Sequence, residues 1–110
     1  MLETADVVVT NMRAGALKKL RCDYESLRRA KPDIIVAMLT AHGVEGPDVE
    51  LPGYDIGAFW ARTGLQDLSG STRDMLANYP GGNGDHTTAI SLLAAALGAL
   101  YHRERTGEGQ

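Results

Sequence analysis

The strongest constraint on this chain is its last thirty-one residues, PGGNGDHTTAISLLAAALGALYHRERTGEGQ from position 80 to 110. A glycine-rich turn, Gly81-Gly82-Asn83-Gly84, precedes a carboxylate at Asp85, and the spacing then predicts a helix over 87–105. Ile90, Leu93, Leu97, Leu100 and Tyr101 recur at helical steps, and Ala94, Ala95, Ala96, Gly98 and Ala99 fill the intervals between them. A helix this small on nearly every face is expected to be buried against other elements. His102, Arg103 and Arg105 place cations at the negative end of the helix dipole, and Thr106-Gly107 supplies the stop.

Asp85 admits two readings. It stands where an N-cap is expected, with Thr88 three residues on, so it can serve simply as the capping side chain. The turn before it favours a chemical role. Three glycines in four residues turn backbone N–H groups outward and admit a bulky ligand, and the partial positive charge of a helix start favours a carboxylate nucleophile.

Earlier in the chain, Ala5-Asp6-Val7-Val8-Val9-Thr10 is a β-branched run of the kind found in parallel strands. Short helices are predicted over 15–20 and 23–30, the second capped by Asp23 and stopped by Pro32, and a second apolar strand over 34–40. Strand, helix, helix, strand implies a right-handed parallel crossover, half of a Rossmann-like sheet. Ligands of open α/β sheets bind at the carboxyl ends of strands, which puts Asn11, Met12 and Arg13 where a ligand is expected; a solvated loop is the plainer alternative. Glycines and prolines mark 41–53 as a long loop, where His42 is either solvated or a ligand contact. A helix is predicted over 54–64 with Phe59 and Trp60 as packing anchors, and a short one around 72–77.

The fold class is therefore α/β, part of a Rossmann-like parallel sheet with flanking helices and a long buried C-terminal helix. Two strands and one long helix do not close a core, so 110 residues amount to a single partial domain. A net charge of −3 with no basic tract argues against nucleic acid and anionic membranes. Cys22 is the sole cysteine, so no internal disulfide or cysteine-based zinc site forms, and no metal site is expected. MLETADVVV is acidic where a signal peptide is basic and too short to span a bilayer, which predicts a cytoplasmic protein.

Four segments together resemble one family. ADVVVTNMRAGALKKL, DYESLRRAKPDIIVAMLTAHGVEGP, LPGYDIGAFWARTGL and GDHTTAISLLAAALGALYHRERTGEGQ are similar, in order, to segments of the family III CoA-transferases, the CaiB/BaiF group. The TG-x-GQ ending is the most specific of these. Family members are several times longer, so the chain corresponds to an internal portion. The resemblance divides it into a βαβ half of a CoA-binding domain (1–43), active-site loops and short helices (44–84), and the long helix with the family ending (85–110).

The resemblance implies CoA transfer between an acyl-CoA thioester and a free carboxylic acid, with CoA as substrate and no permanently bound cofactor. It assigns the nucleophile to Asp85, passing through an aspartyl anhydride and an aspartyl-CoA thioester. Backbone N–H groups around Gly82 and Gly84 become candidates for the oxyanion. The family's Asn-Phe-Arg segment maps to Asn11, Met12 and Arg13, with Lys19 as a further CoA contact. Met12 and Ala14 depart from the family's usual Phe and Pro. Tyr54 matches an active-site loop position, and His86 is a further candidate beside the nucleophile. In the racemase branch the motif reads Gly-His-Asp; here it is Gly53-Tyr54-Asp55, and a phenol is poorly suited to shuttling protons at neutral pH. A transferase is therefore favoured over an acyl-CoA racemase or a catalytically silent fragment. The family's interlocked dimers imply a homodimer for the full-length form.

Overall fold

The computed structural model describes residues 4–70 and 81–110. β-Branched residues form β1, Val7–Thr10, and the apolar run after Pro32 forms β2, Ile35–Met38. The two strands pair in parallel, Val7 against Ile35 through Thr10 against Met38. Two helices make the crossover, α1 over Ala14–Leu20 and α2 over Tyr24–Ala30. The start of α2 follows the sequence reading: the Asp23 carboxylate accepts the Ser26 N–H at 3.2 Å and the Ser26 hydroxyl at 2.7 Å.

Residues 41–53 form the expected long loop, and a π-helical turn, Asp55–Ala61, follows it. A four-residue helix α3, Leu65–Leu68, comes next, and then α4, Asn83–Thr106. The short helix expected around 72–77 lies outside the described residues. Phe59 and Trp60 meet edge to face, ring centroids 5.5 Å apart, and both remain half-buried.

The core is small. Leu17, Leu27, Ile34, Ile35, Ala37 and Ala99 are buried, drawn from the two crossover helices, β2 and the inner face of α4. The Cα radius of gyration is 17.0 Å, well above the roughly 13 Å of a compact domain of this length. Hydrophobic burial is thus concentrated around one strand, and the rest of the surface area stays in contact with solvent.

α4 differs from its sequence reading in two ways. It starts at Asn83, four residues before position 87, with Gly82 as its N-cap in the left-handed region (φ 90°). It is also one-sided: Gly84 and Ala99 are buried, while Ile90, Leu93, Leu97 and Tyr101 are exposed by 57% to 70%. These four lie along one stripe, and among the described residues nothing packs on it. The small side chains let the inner face lie close to β2 and the π-helical turn. No helix of the described residues is long and apolar enough to cross a membrane.

The far end of α4 is tied to the starts of the strands. Arg103 reaches Asp6 at 3.0 Å and Asp33 at 3.7 Å, and Lys31 pairs with Asp33 at 2.7 Å. These links draw Arg103 to carboxylates as well as to the helix dipole, and the Arg103 side chain is largely buried. The ending then turns back over the sheet: the Val36 N–H donates to the Gln110 carbonyl at 2.9 Å, and the Tyr24 hydroxyl donates to the Gly109 carbonyl at 3.2 Å.

That turn requires glycine at 109. A Cβ there would lie 2.1 Å from the Ile34 carbonyl oxygen and 2.7 Å from its nitrogen, and backbone does not yield as a flexible side chain does. Gly109→Ala is expected to destabilise the chain by about 1–3 kcal/mol through forced overpacking. Gly98→Ala meets nothing within 4 Å and is expected to stabilise by about 0.5–1 kcal/mol, as a helix interior normally responds. Urea midpoints of the two variants moving in opposite directions check this pair.

Candidate active site

The start of α4 is held by a carboxylate that precedes it by some thirty residues. Asp55, first residue of the π-helical turn, accepts the Gly82 N–H at 3.1 Å, the Asp85 N–H at 3.0 Å and the Trp60 indole N–H at 3.1 Å. Partial burial pushes the Asp55 pKa up, but the N–H groups of Asp85, Gly82 and Gly84 and the Trp60 indole outweigh it. The net result is a carboxyl held below the ordinary aspartate value. Asp55 thus fills the capping role that the sequence offered to Asp85.

Asp85 lies in the first turn of α4 as an exposed residue, and among the described residues no hydrogen bond to its carboxylate is seen. It lines a cleft of about 440 Å³ together with Asn11 and Arg13 after β1, Leu39–Ala41 after β2, and Tyr54 on the loop. The walls between them are mixed, with Val49, Leu51, Ala58 and Phe59 beside Asp55 and Thr88. Tyr54 is 84% exposed at its rim. The carboxyl ends of both strands therefore open onto the carboxylate, as a parallel sheet disposes a ligand site.

A second cleft of about 480 Å³ adjoins it and shares Asn11 and Arg13. Met12 and Lys19 line this one, so the four residues assigned to CoA by resemblance stand together around a common opening. The Arg13 guanidinium donates to the Glu50 carbonyl at 3.0 Å.

Two expectations are altered by the geometry. The Gly82 amide donates to Asp55, so it is committed to a carboxylate and is not free to hold an oxyanion, while Gly84 lines the cleft beside Asp85. His86 is exposed, lines neither cleft, and lies beside Gly82, because one residue along a helix turns the side chain to another face. His42 also stays outside the Asp85 cleft, on the far side of Gly53.

Asp55 is the residue that sequence reasoning passes over. The signal is present in Gly53-Tyr54-Asp55, but nothing local says that its carboxylate caps a helix so far along the chain. Gly84 is the complementary requirement. A Cβ at 84 would lie 2.4 Å from Phe59 Cγ and 2.5 Å from Asp55 Oδ1, so only glycine allows α4 to approach the π-helical turn this closely.

Compared with known proteins, the profile of CoA-transferase family III matches residues 1–110. The chain belongs to CoA-transferase family III. Within that family, the cinnamoyl-CoA:phenyllactate CoA-transferase of Clostridium sporogenes is 40% identical over 109 residues, 99% of this chain and 26% of that enzyme. The (R)-2-hydroxy-4-methylpentanoate CoA-transferase of Clostridioides difficile is 34% identical over 110 residues, 100% of this chain and 28% of that enzyme. A CaiB/BaiF family protein from Brucella suis, known from its crystal structure, superimposes with a TM-score of 0.89 at 35% identity, over 99% of this chain and 29% of that one. The chain therefore spans little more than a quarter of the length of the family III relatives it matches.

Two predictions follow from the way this family III segment secures its helix. Because the folded pKa of Asp55 is depressed, its stabilising effect is present above about pH 4, the unfolded value, and is lost as pH falls through the lower folded value. Amide-exchange protection at Gly82 and Asp85, corrected for intrinsic rates, should fall over that acidic range, and Asp55→Asn should abolish the pH-dependent part. Gly84→Ala should displace Phe59 and Asp55 together and cost about 1–3 kcal/mol, read as a lowered thermal midpoint with loss of the same two protected amides.

Proposed function

We propose that the full-length protein transfers CoA from an acyl-CoA thioester to a free carboxylic acid, with Asp85 as the covalent nucleophile. The observation that carries this reading is an exposed Asp85 at the strand-end cleft, its own N–H engaged by Asp55 and its carboxylate without a hydrogen bond among the described residues. The names of its relatives support the reaction class.

In this reading Asp85 Oδ attacks the thioester carbonyl, the C–S bond breaks, and CoA thiolate leaves a mixed aspartyl–acyl anhydride. The thiolate then attacks the aspartyl carbonyl and the donor acid departs as carboxylate, leaving an aspartyl-CoA thioester. The acceptor carboxylate attacks that thioester and expels CoA thiolate again. Attack of the thiolate on the acceptor acyl carbon releases the new acyl-CoA and regenerates the Asp85 carboxylate. A carboxylate suits both halves because the anhydride and thioester it forms are close in energy to the thioesters exchanged. No external oxidant, metal or bound cofactor enters the balance.

Asn11, Met12, Arg13 and Lys19 are assigned to CoA, with the cations toward its phosphates. Tyr54 is assigned to the rim of the acyl site, and a phenol there suits a transferase better than a proton-shuttling racemase. Gly82 acts by donating to Asp55 and Gly84 by allowing the close approach of α4; Asp55 holds the Asp85 N–H and is a positioning residue, not a catalytic one. Residues 1–43 are read as half of a Rossmann-like CoA-binding domain, 44–84 as active-site loops and 85–110 as the helix that carries the nucleophile to them. The exposed stripe of Ile90, Leu93, Leu97 and Tyr101 supports a full-length form, proposed to be a homodimer, in which that face is covered.

Hydroxylamine trapping tests the covalent route. Full-length protein incubated with acyl-CoA and then hydroxylamine should gain an Asp85 hydroxamate by intact mass and peptide mapping. Asp85→Ala should gain none and lose at least about a thousandfold in turnover. A folded wild type that yields no adduct with several donors would overturn the aspartyl mechanism.

A further inference from the structure

One carboxylate lies where the functional reading leaves no use for it. Glu50 lines the second cleft, beside Asn11, Met12, Arg13 and Lys19. Its Oε1 accepts the Gly15 N–H at 3.3 Å, and its carbonyl accepts from the Arg13 guanidinium at 3.0 Å. Both contacts are solvent-exposed and the first is long, so the attachment is weak and exchangeable. The same two groups, a cation and a backbone N–H, are what an entering phosphate would recruit. An anion in this cleft meets the Glu50 carboxylate as a like charge and as a competitor for the Gly15 N–H, and the Glu50 backbone carbonyl as a competitor for Arg13.

The segment that Glu50 fastens reaches the other cleft. Asp48 is tied to Arg62 at 2.6 Å, and Val49, Leu51, Pro52, Gly53 and Tyr54 all line the space in front of Asp85. Freeing Glu50 therefore frees a stretch that shapes the acyl site. We propose that Glu50 is an anionic latch: it holds residues 48–54 against α1 while the second cleft is empty, and the phosphates of coenzyme A displace it. The latch rests on the reading that coenzyme A occupies this cleft. It goes beyond that reading by making the acyl site responsive to occupation of the cleft, and by making Glu50 a determinant of coenzyme A affinity.

Glu50→Gln keeps the size of the side chain and removes its charge. In the full-length protein, calorimetric titration with free coenzyme A should give a Kd about 3- to 10-fold lower for Glu50→Gln than for wild type, the range of one exposed charge contact. Hydrogen exchange provides the second readout. Coenzyme A should raise exchange across 48–54 in wild type, and Glu50→Ala, which removes the acceptor of the Gly15 N–H, should show raised exchange there without ligand. Unchanged or weaker binding by Glu50→Gln, or a segment that coenzyme A protects, would overturn the latch and make Glu50 a bystander or a ligand contact. A folded wild type that binds no coenzyme A would overturn the functional reading, and the latch with it.

Discussion

The half of this segment that holds the candidate site depends on one carboxylate meeting a set of N–H groups. Asp55 takes donors from Gly82 and Asp85 and from its own neighbour Trp60, and so fixes the start of a 24-residue helix to a short π-helical turn. Helix starts leave unsatisfied N–H groups, and a side chain within the same turn usually meets the need. Here the acceptor arrives from elsewhere in the chain. The consequence is functional: a carboxylate at position 85 that did its own capping would have its oxygens turned back onto the helix.

Close approach is what makes this possible. Gly84 lets the helix backbone come against Phe59 and Asp55, and at the opposite end Gly109 lets the chain cross the backbone of Ile34. Between these two points α4 lies along β2 with small residues inward, and Arg103 fastens it to the Asp6 and Asp33 carboxylates. The helix is pinned at both ends by polar contacts and glycines, and between them by modest apolar burial. That division fits a segment in which, among the described residues, six apolar residues are buried and whose other helix face still carries an apolar stripe.

Much of this was legible from residue order. The β-branched runs at 7–10 and 35–38, the Asp23 cap and the glycine stop at 107 are local choices, and local propensity settles them. The strand-end position of Asn11 and Arg13 was also readable, because ligands of parallel sheets bind at the carboxyl ends of strands, while their nearness to Asp85 came from the packing of α4. The extent of burial of α4 was not. A helix with apolar and small residues on every side specifies that it can be covered, while how much is covered depends on which elements are there to pack against it.

The sequence by itself determined the two strands, the crossover helices and their parallel pairing, which are written in local spacing, while its motifs carried the resemblance to the family and, through it, the candidate nucleophile. Only the tertiary structure decided how the polar groups are shared out. Asp55 rather than Asp85 became the cap, the Gly82 amide was taken from any oxyanion, His86 was turned away, and Glu50 was brought into the cleft beside Arg13. Each of those assignments except that of His86 is a contact across roughly thirty or more residues. Hydrogen bonds are won by whichever acceptor packing brings within about 3 Å, and sequence separation carries no record of that competition.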